Sequence, residues 1–365
     1  MNSKLSILCA TVSLALTSFS AVSGTGFFVD SGQALESRGV FSLAIADVDN
    51  DGDLDIATSI PSGARIFLND GLGNFSDSGQ ITDVNEQMYS YSVKLADFNG
   101  NGYVDLVIGN DSGANKVFFN DGAGVFTDSG QSLGDSKTQA LAVGDMDNDG
   151  DIDIVEGNFG NYNRVYENNG SGIFNRSFSL KEPNKRSRTR TQAIAVGDFN
   201  GDGRLDIYAG NINEDTVYMS NEYGQFRAVK KTAGEYHAPG VAVGNINNDS
   251  YQDVVTAGWL THNRARKGSG LAVSSNIGEY NDYTWAVALG DVNGDGYDDL
   301  VEANALGNAN RVYLNNGSGA FRGNGQSLGN NNSRAIALGD LDGDGDLDVV
   351  IGHLDAPVSI YFNNN

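Results

Sequence analysis

The stretch Asp340-Leu341-Asp342-Gly343-Asp344-Gly345-Asp346-Leu347-Asp348 sets oxygen-bearing side chains at positions 1, 3, 5 and 9 and a glycine at position 6. The pattern occurs six more times, starting at Asp47, Asp97, Asp145, Asp198, Asn245 and Asp291, with successive starts 50, 48, 53, 47, 46 and 49 residues apart. A fixed period of that size marks a repeat architecture in which each unit is one supersecondary motif.

Each copy has the same surroundings. An Ala/Val-rich run precedes it, as in Leu43-Ala44-Ile45-Ala46, and a short β-type run follows, as in Asp348-Val349-Val350-Ile351. A Gly/Asn turn, a third run such as Arg311-Val312-Tyr313-Leu314, a tight N-G-x-G-x-F turn and a fourth run complete the unit. Short strands bounded by Gly/Asn clusters read as a β-meander, and no segment sustains a helical period with caps. Four strands per unit and seven units predict an all-β, seven-bladed β-propeller over 24–365. The last repeat ends after its third strand, Val358-Ser359-Ile360-Tyr361-Phe362, while Gly26-Phe27-Phe28-Val29-Asp30-Ser31-Gly32-Gln33 reads like the turn and fourth strand of other repeats. The N-terminal strand is therefore expected to complete the last blade, as a closed ring requires.

The combination G-D-x-N-G-D-G-x-x-D-[LI], at 197–207 and 290–300, followed by N-G-x-G-x-F, resembles the FG-GAP/VCBS repeat. That repeat builds the integrin α-subunit propeller, bacterial extracellular propellers and some fungal lectins. The resemblance spans the chain from residue 24 onward and implies a calcium-binding propeller used in adhesion, sugar binding or scaffolding.

Alternating oxygens, a sharp turn at position 6 and a further carboxylate form a cage for a hard cation. The side-chain positions are Asp47, Asp49, Asp51 and Asp55; Asp97, Asn99, Asn101 and Asp105; Asp145, Asp147, Asp149 and Asp153; and Asp198, Asn200, Asp202 and Asp206. They continue as Asn245, Asn247, Asp249 and Asp253; Asp291, Asn293, Asp295 and Asp299; and Asp340, Asp342, Asp344 and Asp348. In the resembling family position 7 adds its backbone carbonyl, here from Asp53, Tyr103, Asp151, Arg204, Tyr251, Tyr297 and Asp346. An EF-hand is rejected, because strands flank the loops and position 12 is Glu only at Glu156 and Glu302. Up to seven Ca2+ ions are expected. The fifth site should be weakest, since Asn245, Asn247 and Ser250 replace acid, acid and glycine.

Charge supports that reading. The 365 residues carry 23 Lys+Arg against 47 Asp+Glu, a net charge of −24, and 22 of the carboxylates sit at cage positions. Such a balance excludes a nucleic-acid partner, which needs clustered cations. With 48 Gly, 4 Pro, 17 Phe and 15 Tyr the composition suits tight turns and a packed core, and excludes acidic disorder. Residues 1–23 read as a signal peptide, with Lys4, an apolar run from Leu5 to Phe19 and the small residues Ala21-Val22-Ser23. A secreted or periplasmic protein is expected, with no membrane span after that segment. The sole cysteine, Cys9, lies in this segment, so the remainder has no disulfide or thiol chemistry.

No catalytic constellation stands out. The histidines His237, His262 and His353 fall in different contexts, and there is no G-x-S-x-G elbow. A monomeric, non-enzymatic binding or adhesion module for a carbohydrate or protein surface is expected. The competing reading is a polysaccharide lyase with a Tyr or His base and a neutralising Arg. Candidate ligand residues cluster opposite the calcium loops in the more basic repeats: Arg186, Arg188, His237, Trp259, Arg264 and Trp285. Counting six residues back from each cage places Phe41, Tyr91, Gln139, Gln192, Pro239, Trp285 and Arg334 about 20 Å above the loops, around the upper mouth of the central channel.

Overall fold

The computed structural model describes residues 26–36, 39–83, 89–181, 189–232, 237–268, 270–280 and 282–365. Among them lie seven sheets of four antiparallel strands and no helix. Blade 1 comprises Leu43–Ala46, Asp55–Ile60, Gly63–Asn69 and Phe75–Asp83. Blades 2 to 6 open with Ser90–Ala96, Thr138–Gly144, Thr191–Gly197, Val241–Gly244 and Thr284–Gly290. Blade 7 holds Ser333–Gly339, Asp348–His353 and Ser359–Asn363. The first strands pack side by side around the axis, blade 7 against blade 1, so the ring is closed.

Second strands such as Asp105–Asn110 and Asp348–His353 are buried along their whole length. Neighbouring blades cover both faces of this strand, which explains why it reads as a continuous Val/Ile/Leu/Ala run and not as an alternation. The core is thus a series of inter-blade layers. One of them joins Val301, Ala303 and Val312 of blade 6 to Val349, Ile351 and Tyr361 of blade 7.

The N-terminal strand Phe28–Asp30 is the outermost strand of blade 7, with Phe28 opposite Asn363, Val29 opposite Phe362 and Asp30 opposite Tyr361. Phe28 is buried against the blade 6–7 layer, whereas Phe27 lies just outside the strand and is exposed. Gln326 of blade 6 clasps this strand, its Oε1 accepting from Phe28 N at 2.9 Å and its amide donating to Phe28 O. The D-S-G-Q motif repeats the clasp elsewhere. Gln33, Gln80 and Gln131 each bond both a carbonyl and an N–H of the next blade's N-G-x-G-x-F turn.

A second stitch runs near the calcium loops. Asn120, Asn315, Asn363 and Asn69, each ending a third strand, and Asn168, just past the end of one, donate from Nδ2 to the position-2 carbonyl of the preceding blade's loop at 2.7–2.8 Å. Blades 4 and 5 carry Ser220 and Gly268 there, neither of which has an amide side chain to make this bond at the 3–4 and 4–5 seams. At the 4–5 seam Gln252 Oε1 accepts from Asp198 N at 2.7 Å instead. Residues 1–23, read as a signal peptide, lie outside the described residues.

Candidate functional site

The seven acidic loops sit together at the lower ends of the first strands. Position 4 of each lies in the left-handed region when it is Asn50, Asn148 or Asn248 (φ 57–64°), and Gly100, Gly201, Gly294 and Gly343 serve in the other loops. Position 6 is also left-handed, as at Gly52 (φ 102°) and Gly150 (φ 97°). Asn and Gly tolerate these angles best, which accounts for the Asn/Gly alternation at position 4 that ligand reasoning left unread. Position 1 caps the turn: Asp47 accepts from Asp51 N and Gly52 N, and Asp291 from Asp295 N and Gly296 N. With the loop so wound, carboxylate oxygens of Asp47, Asp49 and Asp55 come within 4.8 Å of one another. The same holds for Asp145, Asp147 and Asp153, and for Asp340, Asp342 and Asp344.

Position 9 has a second duty. In every blade it is fully buried, one oxygen accepting from the position-2 N–H and the other from the N–H at the end of the third strand. Asp105 bonds Phe98 N and Asn120 N at 3.1 and 2.8 Å, and Asp153 bonds Met146 N and Asn168 N, both at 2.8 Å. Asp55, Asp206, Asp253, Asp299 and Asp348 repeat the pair. Burial, opposed by these bonds, raises the carboxyl pKa to about 6 in Asp105, about 7 in Asp299 and Asp348, and about 8 in Asp153. Burial and neighbouring carboxylates likewise push Asp147 up to about 6.

Two features make these loops fit a cation. Asp49 Oδ1, Asp147 Oδ1 and Asn245 Oδ1 are buried with no hydrogen-bond partner, a costly state for an oxygen that a cation would satisfy. Two position-7 side chains point away, Tyr103 covering Gly122 and Tyr297 covering Gly317, each in the N-G-x-G turn of its own blade, whereas Arg204 reaches Asp202 of its own loop at 3.7 Å. In the loops of Tyr103 and Tyr297 only the main chain of position 7 is left to face the cage. In the fifth loop the amides of Asn245 and Asn247 bond to Asp249 O and Asp249 Oδ2, and Ser250 is absent from the left-handed region.

At the other end of the channel, Phe41, Tyr91, Gln139, Gln192, Pro239, Trp285 and Arg334 line one cavity of about 200 Å³. The expected ring is therefore present, and its construction is specific. In five blades the ladder between first and second strands skips one residue, and the skipped residue is Tyr91, Gln139, Gln192, Trp285 or Arg334. A β-bulge re-aims the extra side chain, here toward the axis. The residue before the bulge is Ser or Thr. Ser90, Thr138 and Thr191 donate from their hydroxyls to Asn110, Asn158 and Asn211 at 2.8–3.1 Å, and Ser333 pairs with His353 Nδ1. The cue in sequence, a hydroxyl residue before and a small residue after each of the five bulged positions, is visible only once the bulge is known.

Aromatic groups concentrate on one side of the mouth. Trp259 meets Trp285 edge-on at 5.3 Å and Tyr283 at 5.0 Å, while Phe41 and Tyr91 lie 4.6 Å apart across blades 1 and 2. The other candidate ligand residues separate from this group. His237 and Arg264 line a cleft between blades 4 and 5 of only about 10 Å³, with His262 and Arg266. Arg266 is buried and bridges to Asp215 at 3.6 Å. Tyr280 lies beside His262 with ring centres 5.5 Å apart. Arg186 and Arg188 lie outside the described residues.

Two solved structures share the architecture. BBS1N, solved in complex with ARL6DN, aligns at a TM-score of 0.64 with 11% identity over 93% of this chain and 97% of its own. A lectin of Agrocybe aegerita, solved for its recognition of non-reducing terminal N-acetylglucosamine, aligns at 0.58 with 21% identity over 88% and 94%. At such identities the likeness is one of fold. No curated protein matches the sequence. The model of the FG-GAP-like repeat matches residues 47–108, 97–156, 145–209, 198–256 and 291–351. Every matched segment opens on the first residue of a loop described above and runs to position 12 of the next, and the atypical loop at Asn245 opens none. From the loops and the blades they join, the chain belongs to the FG-GAP-like repeat family.

Proposed function

We propose that this protein is a secreted, calcium-loaded propeller that binds carbohydrate at the upper mouth of its channel, acting as a ligand-binding or adhesion module without catalysis of its own. The observation that carries the reading is the bulge-built ring: five blades spend a hydrogen bond of the ladder to turn a large or polar side chain into one cavity. Aromatic faces beside polar side chains suit a sugar, whose C–H face stacks and whose hydroxyls bond. Calcium belongs to the opposite face. There the carboxylates at positions 1, 3, 5 and 9 would hold it, and its charge would offset the repulsion and burial that raise the loop pKa values. Metal on one face thus rigidifies the first strands whose other ends form the mouth.

The test is a glycan array with calcium and with chelator, paired with wild type against Trp259→Ala. Calcium-dependent binding lost in the variant supports the module, and no glycan binding under either condition refutes it. A second reading, a polysaccharide lyase, draws on the cleft where His237, His262, Arg264 and Arg266 meet. Its volume suits about one water molecule, and Arg266 is engaged by Asp215. Unsaturated products from an acidic polysaccharide, abolished by His262→Ala, would establish that reading in place of the first.

A further inference from the structure

In a chain of net charge −24, the cavity at the channel mouth is lined by Lys94 and Arg334, and among the described residues that line it there is no carboxylate. The Arg334 guanidinium carbon lies 3.7 Å from the centre of the Trp285 ring. Arg334 Nε and Nη1 are shielded from solvent and have no hydrogen-bond partner. Asp355 is the charged group near it and is not bonded to it. An unpaired cation half-removed from water is a costly arrangement for a protein to keep. Stacking on Trp285 holds the guanidinium against the cavity wall, where its fixed charge draws a carboxylate. Lys94 stands three residues nearer the loops on the first strand of blade 2, about 10 Å lower in the same cavity.

We infer that the channel mouth is an anion site that takes the carboxylate-bearing end residue of an acidic saccharide, with Arg334 gripping the carboxylate, Lys94 supplying the field beneath it, and Trp285 and Tyr91 walling the ring. This rests on the carbohydrate-binding reading above and narrows its ligand. At about 200 Å³ the cavity is smaller than the usual pocket for a drug-sized ligand, which favours one sugar ring entering end-on over a polymer strand lying across.

The chain contains only two tryptophans; Trp285 lines the cavity and Trp259 packs edge-on against it, so tryptophan emission reports on this site and the ring beside it. Calcium-loaded protein is titrated with a uronic-acid disaccharide, a neutral disaccharide of similar size, and acetate. The proposal expects a saturable emission change with the acidic sugar, weakened by salt, and none comparable with the other two. Arg334→Gln should weaken binding about tenfold or more, Arg334→Lys less, and Lys94→Gln by an intermediate factor. Unaltered calcium-dependent melting shows that each variant is folded, and Lys94→Gln keeps the test open if Arg334→Gln is not. A neutral sugar bound as well as the acidic one overturns the anion site but leaves the carbohydrate module standing. Acetate bound as tightly overturns the sugar assignment. Acidic-sugar affinity unchanged in both charge variants overturns the roles of Arg334 and Lys94. A silent fluorescence titration, with glycans still captured on the array, places the sugar site elsewhere on the molecule.

Discussion

Phe28 and Gln326 exchange two hydrogen bonds across the seam between the last two blades, although 298 residues separate them in the chain. That exchange ties the N-terminal strand into the ring beside the strand Ser359–Asn363. Deleting residues 24–33 should therefore remove the outer strand of blade 7, leave Gln326 unpartnered and expose a hydrophobic strand edge. Size-exclusion chromatography with light scattering should show self-association, together with a lower melting temperature. A monomeric deletion variant of unchanged stability would contradict the closure.

Calcium should stabilise the fold strongly. A ligand bound only by the native state contributes about 2.7 kcal/mol per site at a hundredfold excess over its dissociation constant. Adding a chelator should lower the melting temperature by many degrees. Asp145→Ala and Asp340→Ala should reduce the calcium-dependent shift more than Asn245→Ala does, because the fifth loop holds less charge and its amides already bond within the loop. Equal effects of all three would contradict a graded set of sites.

The buried carboxylate at position 9 should matter even without metal. Asp105→Asn would turn an amide N–H toward one of the backbone donors, Phe98 N or Asn120 N, and should cost about 1–3 kcal/mol in chelator. Asp49→Asn, whose Oδ1 has no partner, should leave stability in chelator nearly unchanged and reduce only the gain on adding calcium. Thermal melts of both variants with and without calcium separate the clamp from the cage.

His353 should make the fold acid-sensitive independently of the loops. It is 1% exposed and lies between Ser333 Oγ and Ser359 Oγ, each 3.1 Å away. Burial pulls its pKa from 6.5 down to about 4, so the folded state holds it neutral while the unfolded chain takes up a proton near 6.5. Stability present above pH 6.5 is then lost as the pH falls toward 4, by at most about 3 kcal/mol. His353→Asn introduces the residue that blades 2, 3 and 4 use to latch the same bulge, as Asn110, Asn158 and Asn211 do. With calcium saturating, the variant's melting temperature should fall less between pH 7 and pH 5 than that of wild type.

Local rules were enough for much of this molecule. Position 6 of six loops is a glycine at left-handed angles, second strands covered on both faces must be apolar throughout, and the fixed period makes the units equal, so loops, strands and blade number were legible in the residues alone. Closure was legible too, because the N-terminal segment carries the same turn-and-strand pattern that the last repeat lacks. Other features depend on neighbours far away in sequence. Asp153 reads as one more cage oxygen, and only the folded blade shows that it also ties two strands together. In the sequence Glu156 argues only against an EF-hand, while in the fold it is a fully buried acceptor for Tyr166 and Asn158 inside blade 3. Residue counting put Trp285 and Arg334 at the mouth, but whether such side chains face the axis or a neighbouring blade is set by a bulge. A bulge is a property of pairing between two strands. The stacking of Arg334 on Trp285 goes one step further from sequence, since it joins bulges of adjacent blades 49 residues apart and exists only when the ring brings them together.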